Sequence, residues 1–366
     1  MKILFVLSVD AWTRCTATIE RYVAAGRAAG HEVAVFGEPN PELPTIAYTT
    51  DITDVDLAVF VVQIVQDIPQ MPGLARLIDH IPRQRRIALD LWGRYNDTVR
   101  IEHDFNHLEK LDGHQAWEWQ EAIQSISDRV LQPTLSPVKT GVGSFLFHAF
   151  DSSSVMSGQR SAKDAAAAWC SAGPTEKPYG AAYVGSNWHR WAGVRDFLEQ
   201  YDKVRAKIGP ARLSGWDWSE RPQWAIDNGI AGVDTDPELL ARLGVEVGDG
   251  MRYHEIVPLL GRARFAPILH RPLFRHLGFV TGRTFETFHA DAVPVILLPR
   301  DQVAAIFGPA GLELTPGDDI AGHLESQLSH PERTWDAVLA TRAHLAKHHS
   351  YAERLTELGA HLPERA

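Results

Sequence analysis

The sequence is poor in cysteine. Cys15 and Cys170 are its only two, they stand far apart, and they form no C-x-x-C pair. Neither a disulfide framework nor a thiolate zinc site is signalled. Long apolar runs are missing as well. No stretch reaches the ~18 apolar residues of a membrane-spanning helix, and the opening MKILFVLSVD turns polar too soon for a signal peptide. With reduced thiols and no address signal, the expected compartment is the cytoplasm. Positive charge is in deficit: 36 Lys and Arg against 46 Asp and Glu leave −10 with His neutral. A net anion draws neither nucleic acid nor an anionic membrane globally, so nucleic acid is not an expected partner unless one face is basic. Familiar motifs are absent too. There is no G-x-x-x-x-G-K-S/T, no G-x-G-x-x-G after the first strand, no G-x-S-x-G and no H-E-x-x-H. These absences argue against a P-loop nucleotidase, an ordinary NAD(P) site, a serine hydrolase elbow and a zincin.

The rest is the composition of a globular protein, 45% apolar and 22% charged, which sets aside disorder, collagen and coiled coil. At roughly 100–200 residues per domain, 366 residues make two domains or one large one. Ile3 to Val9 is a continuous apolar run of the kind found in buried parallel strands. A helical stretch to about Ala29 and a strand at Glu32–Phe36 complete a βαβ unit. Apolar runs at Asp56–Ile64, Arg86–Leu91 and Phe145–Phe150 alternate with helical patterns at Met71–His80 and Gly113–Val130. From Ser152 to Pro178 the composition shifts to Ser, Ala, Gly, Lys and Pro, with a short helix around Ala162–Cys170, and reads as the approach to a linker. The alternation then restarts at Tyr179–Val184, and the tail from Pro331 is helical with a break near His349-Ser350. The expected class is α/β, with two doubly wound Rossmann-like domains facing a cleft. The first spans 1–175 and the second 176–339. Ligands of such sheets bind at the C-terminal ends of the strands.

Two D-x-D triplets, Asp54-Val-Asp56 and Asp234-Thr-Asp236, have the form of a metal-diphosphate motif. Each also has a plain structural use: Asp54 and Asp56 precede a buried strand, and Asp236 before Pro237 fits an N-cap. No metal site is expected. The informative segment is Arg283-Thr-Phe-Glu286-Thr-Phe-His-Ala-Asp-Ala-Val-Pro-Val-Ile. It reads as a helix with Glu286 near its start, then a turn and a buried strand. A carboxylate there suits the macrodipole and can accept two ribose hydroxyls, while the helix start can cradle phosphate. It can equally be ordinary decoration of a helix N-terminus.

This segment resembles the donor-site motif of GT-B glycosyltransferases, with the nearest likeness to the spore-maturation, CgeB-like branch of the group 1 type. Tyr183-Val-Gly-Ser-Asn-Trp-His-Arg190 with Arg195, His348-His-Ser-Tyr351-Ala-Glu-Arg354, and the Gly30-His-Glu-Val turn resemble further segments of that family. The likeness covers mainly 179–360. It implies a transferase that moves a sugar from a nucleotide-diphosphate sugar to an acceptor hydroxyl. No metal or other cofactor is required, and a tail helix near 340–366 returns to the first domain. It implies that Glu286 binds the donor ribose. The 185–195 loop (Gly185, Ser186, Arg190, Arg195) and the helix start (Arg283, Thr284, Phe285) then face the diphosphate. Two positions depart from the pattern: Gly278 stands where many group 1 enzymes carry a second Glu, and Asp291 replaces a usual Gly. They favour the alternative of a non-catalytic binding homologue; a second alternative is a sugar-nucleotide epimerase, for which no paired acid/base groups are identified.

Candidate bases are Asp10, after the first strand, and Asp90, ending another. Either would deprotonate the acceptor or only cap a turn. His148 and His270 end predicted strands and can meet sugar or phosphate, or sit satisfied in the core. The sequence also has eleven Trp. Trp92, Trp188, Trp191, Trp216 and Trp218 fall beside the expected cleft, where an indole stacks on a sugar or base or packs an interface.

Overall fold

The protein is described from a computed structural model, which covers residues 1–12, 14–62, 73–96, 100–102, 108–110, 113–153, 160–227 and 232–362. Parts of the expected segments 56–64, 71–80 and 152–178 lie outside these residues, as do the side chains of Trp117 and Trp119.

The first half is built on a seven-stranded sheet ordered β3-β2-β1-β4-β5-β8-β9. Its members are β1 (Lys2–Val6), β2 (Glu32–Phe36), β3 (Tyr48–Thr49), β4 (Leu57–Val62), β5 (Arg86–Asp90), β8 (Val130–Gln132) and β9 (Val142–Ser144). A separate antiparallel hairpin pairs β6 (Arg100–Glu102) with β7 (Leu108–Lys110). The second half carries a five-stranded sheet ordered β12-β11-β10-β13-β14. These strands are β10 (Tyr179–Val184), β11 (Ala211–Ser214), β12 (Glu246–Gly248), β13 (Ala263–Ile268) and β14 (Val293–Ile296). Every pairing within the two main sheets is parallel. The central strands explain why: all six residues of β4 and of β10 are buried, the mark of a strand covered by helices on both faces. In each sheet the order reverses beside the first strand, β1 or β10, which opens a crevice at the C-terminal strand ends.

The expected strand at Phe145–Phe150 is not one. Its apolar residues alternate between two cores. Phe145, Phe147 and Ala149 pack into the first half, and Leu146 and Phe150 into the second. The segment is therefore an extended crossing that both cores hold. Beside it the tail crosses back, with Phe150 N–H donating to His349 O at 2.7 Å. The helix Pro331–His348 packs on the second half, against Ala162–Ser171 and Arg300–Gly311. The chain breaks at His349-Ser350, and Ser350 caps the helix Tyr351–Gly359. That helix lands on Arg14–Ala28 and sets Tyr351, Leu355 and Leu358 in the first core.

Two helices near the expected boundaries have clear packing partners. The helix Ala162–Ser171 belongs to the second core: Trp169 meets Phe265 edge-on at 5.5 Å and its Nε1 donates to Arg264 O. Tyr351–Gly359 packs on the first half, while Pro331–His348 packs on the second. Among the described residues no helix is long and apolar enough to cross a membrane.

Gly215 shows how closely the strand-end loops meet. Its φ is 145°, and a Cβ there would overlap the Gly185 carbonyl. Gly215→Ala should cost about 1–3 kcal/mol through backbone strain and overpacking. A thermal melt checks this; an unchanged Tm would mean the two loops part freely.

Candidate functional site

The segment 283–286 sits in the short helix Gly282–Glu286. Thr281 is its N-cap, and Thr281 and Thr284 form a reciprocal capping box. The helix thus starts earlier than expected, and Glu286 closes it rather than opening it. The macrodipole does not hold this carboxylate. Arg283 does, with Nη1 3.1 Å from Glu286 Oε2. The Arg283 side chain is 3% exposed and that of Glu286 17%. Among the described residues the guanidinium makes no hydrogen bond, and Glu286 is its counter-ion. Burial pushes the Arg283 pKa down, so the ion pair is what offsets the cost of a buried cation. Thr284 is buried beneath the turn and Phe285 in the core. Of these four expected donor contacts, Glu286 reaches a cavity, while Arg283 acts on it from behind.

Among the described residues, two of the cavities that open between the halves meet this helix, one of about 410 Å³ and one of about 270 Å³. The larger is walled by Ser186, Trp188 and Arg190 of the second half, by Leu91 and Trp92 of the first, and by Thr281. The smaller holds Glu286, with Arg21, Tyr253, His289 and Tyr351. Gly282 and His148 line both. The start of the 282–286 helix is the sill between them.

Around this frame the other expected residues divide. Arg190 precedes the helix Trp191–Ile208, and its Nη1 donates to Ser186 O at 3.0 Å and Trp188 O at 3.3 Å, which holds the cation on the cavity wall. Arg195 instead pairs with Asp196 at 3.1 Å and lines neither cavity. Gly185 is a packing position: its carbonyl accepts the Trp218 indole N–H at 2.6 Å. His270 braces the helix start, with Nε2 3.2 Å from Thr284 Oγ1 and 3.4 Å from Thr281 Oγ1. Asp10 is exposed at the end of the β1 loop and accepts the Trp12 N–H at 2.7 Å. Asp90 is fully buried at the end of β5. Its carboxylate accepts the N–H groups of Trp92, Arg94 and Tyr95 and the Gln132 amide at 2.9–3.2 Å. Burial still pushes its pKa up. It lies one residue behind the wall that Leu91 and Trp92 form.

The D-x-D triplets are turns. Asp236 caps the helix Pro237–Arg242, and Asp56 accepts the Lys2 N–H at 2.9 Å. Trp191 and Trp218 are core residues. Trp12, Trp216 and Trp224 are 48%, 51% and 44% exposed. Trp12 and Trp216 face each other across the two halves at 6.1 Å, and Trp224 stacks on Trp188 at 6.0 Å.

Sequence reasoning passed over Arg271 and His289. Arg271 is buried on the wall of the larger cavity, its guanidinium 4.5 Å from the Trp92 ring centre and 3.9 Å from that of Phe274. The strand-end rule could have found it, since it directly follows His270. His289 carried no motif. It stacks on Phe150 at 4.2 Å and its Nε2 accepts the Asp151 N–H at 3.2 Å.

Burial holds three of these histidines neutral. His270 is pushed down to about 3, His289 to about 4 and His349 to about 3. Each folded value is below that of the unfolded chain, about 6.5. Below pH 6.5 the unfolded chain takes up protons that the folded one refuses, so stability falls as pH drops from 6.5 toward 4. The slope approaches three protons, about 4 kcal/mol per pH unit at most. Urea unfolding at pH 7 and pH 5 measures it; equal stability at both would show that these histidines protonate in place.

Residues 189–360 match a family model described as glycosyl transferase-like. No curated protein matches the sequence. Solved structures match along nearly the whole chain. The T4 phage BGT complex with UDP-glucose aligns at TM-score 0.58 and 12% identity, covering 99% of both chains. An alpha-glucosyltransferase with UDP and a 13-mer DNA containing an HMU base aligns at 0.55 and 10%, covering 98% of both. Anabaena HepE with UDP aligns at 0.52 and 10%, covering 98% of this chain and 99% of that one. T4 BGT has also been solved with UDP and Mn2+. The chain therefore has the GT-B fold, and its stretch 189–360 is similar to the glycosyl transferase-like family model.

Proposed function

We propose that the protein is a glycosyltransferase that holds a UDP-sugar mainly with its second half and passes the sugar to an acceptor hydroxyl on its first half. The observation that carries this is Glu286: a carboxylate on a cavity wall, ion-paired with a buried arginine, one sill away from Arg190. The ribose hydroxyls would donate to Glu286. The diphosphate would cross the Gly282 sill toward Arg190, and the sugar would lie in the larger cavity beside Trp92 and Arg271. Uracil is favoured as the base because the T4 enzyme and HepE, which share the fold, were solved with UDP or its glucose ester. The likeness of Arg283-Thr-Phe-Glu286 to the spore-maturation branch supports the same donor geometry.

Arginine supplies the charge that a metal would otherwise bring to the leaving diphosphate. Turnover should therefore survive EDTA; loss on chelation and return with Mn2+ would contradict this. Arg190→Ala should weaken UDP binding by about 10- to 100-fold and leave uridine binding unchanged. Calorimetric titration of both ligands tests it, and an equal loss for both would place Arg190 away from the phosphates.

The net charge of −10 does not decide the acceptor, since one enzyme of the same fold was solved with DNA. The exposed indoles of Trp12, Trp216 and Trp224 offer flat faces to a sugar or to an unstacked base. Saccharides and hydroxymethylated DNA therefore both belong in an acceptor screen. Closure of the two halves would keep water from the donor.

A further inference from the structure

We propose that His148 donates a hydrogen bond to the donor diphosphate, and that Thr18 and Tyr351 hold its imidazole in the tautomer that can do so; this rests on the donor binding proposed above. His148 lies in the crossing segment and is 9% exposed. Its ring packs over the sill, since a Cβ at Gly282 would stand 3.4 Å from its Nδ1. It lines both cavities, so a donor that spans them passes it.

The proposed place of the proton follows from the partners of Nδ1. The Tyr351 O–H points to Thr18 Oγ1 at 3.5 Å. Thr18 Oγ1 lies 2.8 Å from His148 Nδ1, and in the proposed arrangement Thr18 is the donor there. A neutral imidazole that accepts at Nδ1 carries its proton on Nε2. The ring is then a donor, the polarity that an oxyanion needs. As the sugar leaves, negative charge grows on the diphosphate, and an N–H set in advance stabilises it. The three side chains come from the first half, the crossing and the returning tail. The tail's return to the first half thus bears on the donor site through Tyr351, a positioning residue that does not itself touch the donor.

The test is calorimetric binding of UDP and of uridine to the full chain and to His148→Ala, His148→Asn, His148→Gln and Tyr351→Phe. The amide nitrogen of Gln stands near the place of Nε2–H, that of Asn near Nδ1. His148→Ala and His148→Asn should weaken UDP by about 10- to 100-fold with uridine unchanged, and His148→Gln should recover most of the loss. Tyr351→Phe should weaken UDP by a smaller factor, again sparing uridine. Unchanged UDP affinity in His148→Ala overturns the proposal, and so does an equal fall for UDP and uridine, which would mark a merely structural histidine. A wild-type chain that binds no UDP removes the donor function and this role with it. UDP binding that needs Glu286 but ignores His148 removes this role alone.

Discussion

Glu286→Gln should weaken UDP and uridine alike, by about 100-fold or more. The reason is the pair of ribose hydroxyls. In the proposed site each would donate to a Glu286 oxygen, and a hydrogen bond to a charged group contributes about 1.5–3 kcal/mol. The amide keeps one acceptor and loses the charge. It also keeps an oxygen for Arg283, 3.1 Å away in the wild type. Glu286→Ala would instead leave a buried guanidinium without its counter-ion, which costs about 3–5 kcal/mol when such a pair is broken. The Gln variant thus separates binding from folding. A 2′,3′-dideoxyuridine ligand gives the control: it should bind wild type and variant equally. If Glu286→Gln bound UDP as tightly as the wild type, the ribose would lie elsewhere.

Asp90→Asn should lower kcat by about 10²- to 10⁴-fold, with UDP affinity little changed. Of the two candidate bases, Asp90 is the one whose surroundings favour proton uptake, because burial raises its pKa. Asp10 is exposed and turned onto its own loop. Leu91 and Trp92 line the larger cavity and Asp90 does not, so an acceptor would reach its carboxylate only if the 91–95 loop shifted. The rate should then rise with pH through a value above that of an ordinary Asp, about 3.9, and the Asn variant should lose this limb. Asn also turns an amide toward the N–H donors that Asp90 now accepts, so the folded fraction must be measured alongside. A variant that loses stability but keeps its rate per folded molecule would make Asp90 only the anchor of its loop. A rate lost on Asp10→Asn would transfer the role there.

The fold was legible because its signals are long and redundant. β4 and β10 are unbroken apolar runs, and each is followed by a helical pattern. β8, β9 and β12 were missed because three residues carry no period. Phe145–Phe150 misled for a physical reason: alternation between two cores looks in sequence like alternation across a sheet. Motif and charge pointed to Glu286 and Arg190, and both line cavities between the halves. The partnership of Arg283 with Glu286 was hidden, because an i,i+3 pair reads as surface decoration until burial is known. Thr18, His148 and Tyr351 could not be joined from sequence at all. They lie far apart along the chain, and only the crossing and the returning tail bring them together.

The most direct measurement is a thermal-shift comparison of UDP-, GDP-, ADP- and dTDP-sugars on the intact chain. A ligand at about 100 times its Kd stabilises the folded state by about 2.7 kcal/mol. UDP-sugars should raise the Tm clearly, the other nucleotide sugars less, and Glu286→Gln should abolish the shift. A folded protein whose Tm no nucleotide sugar moves would contradict a donor site built on Glu286.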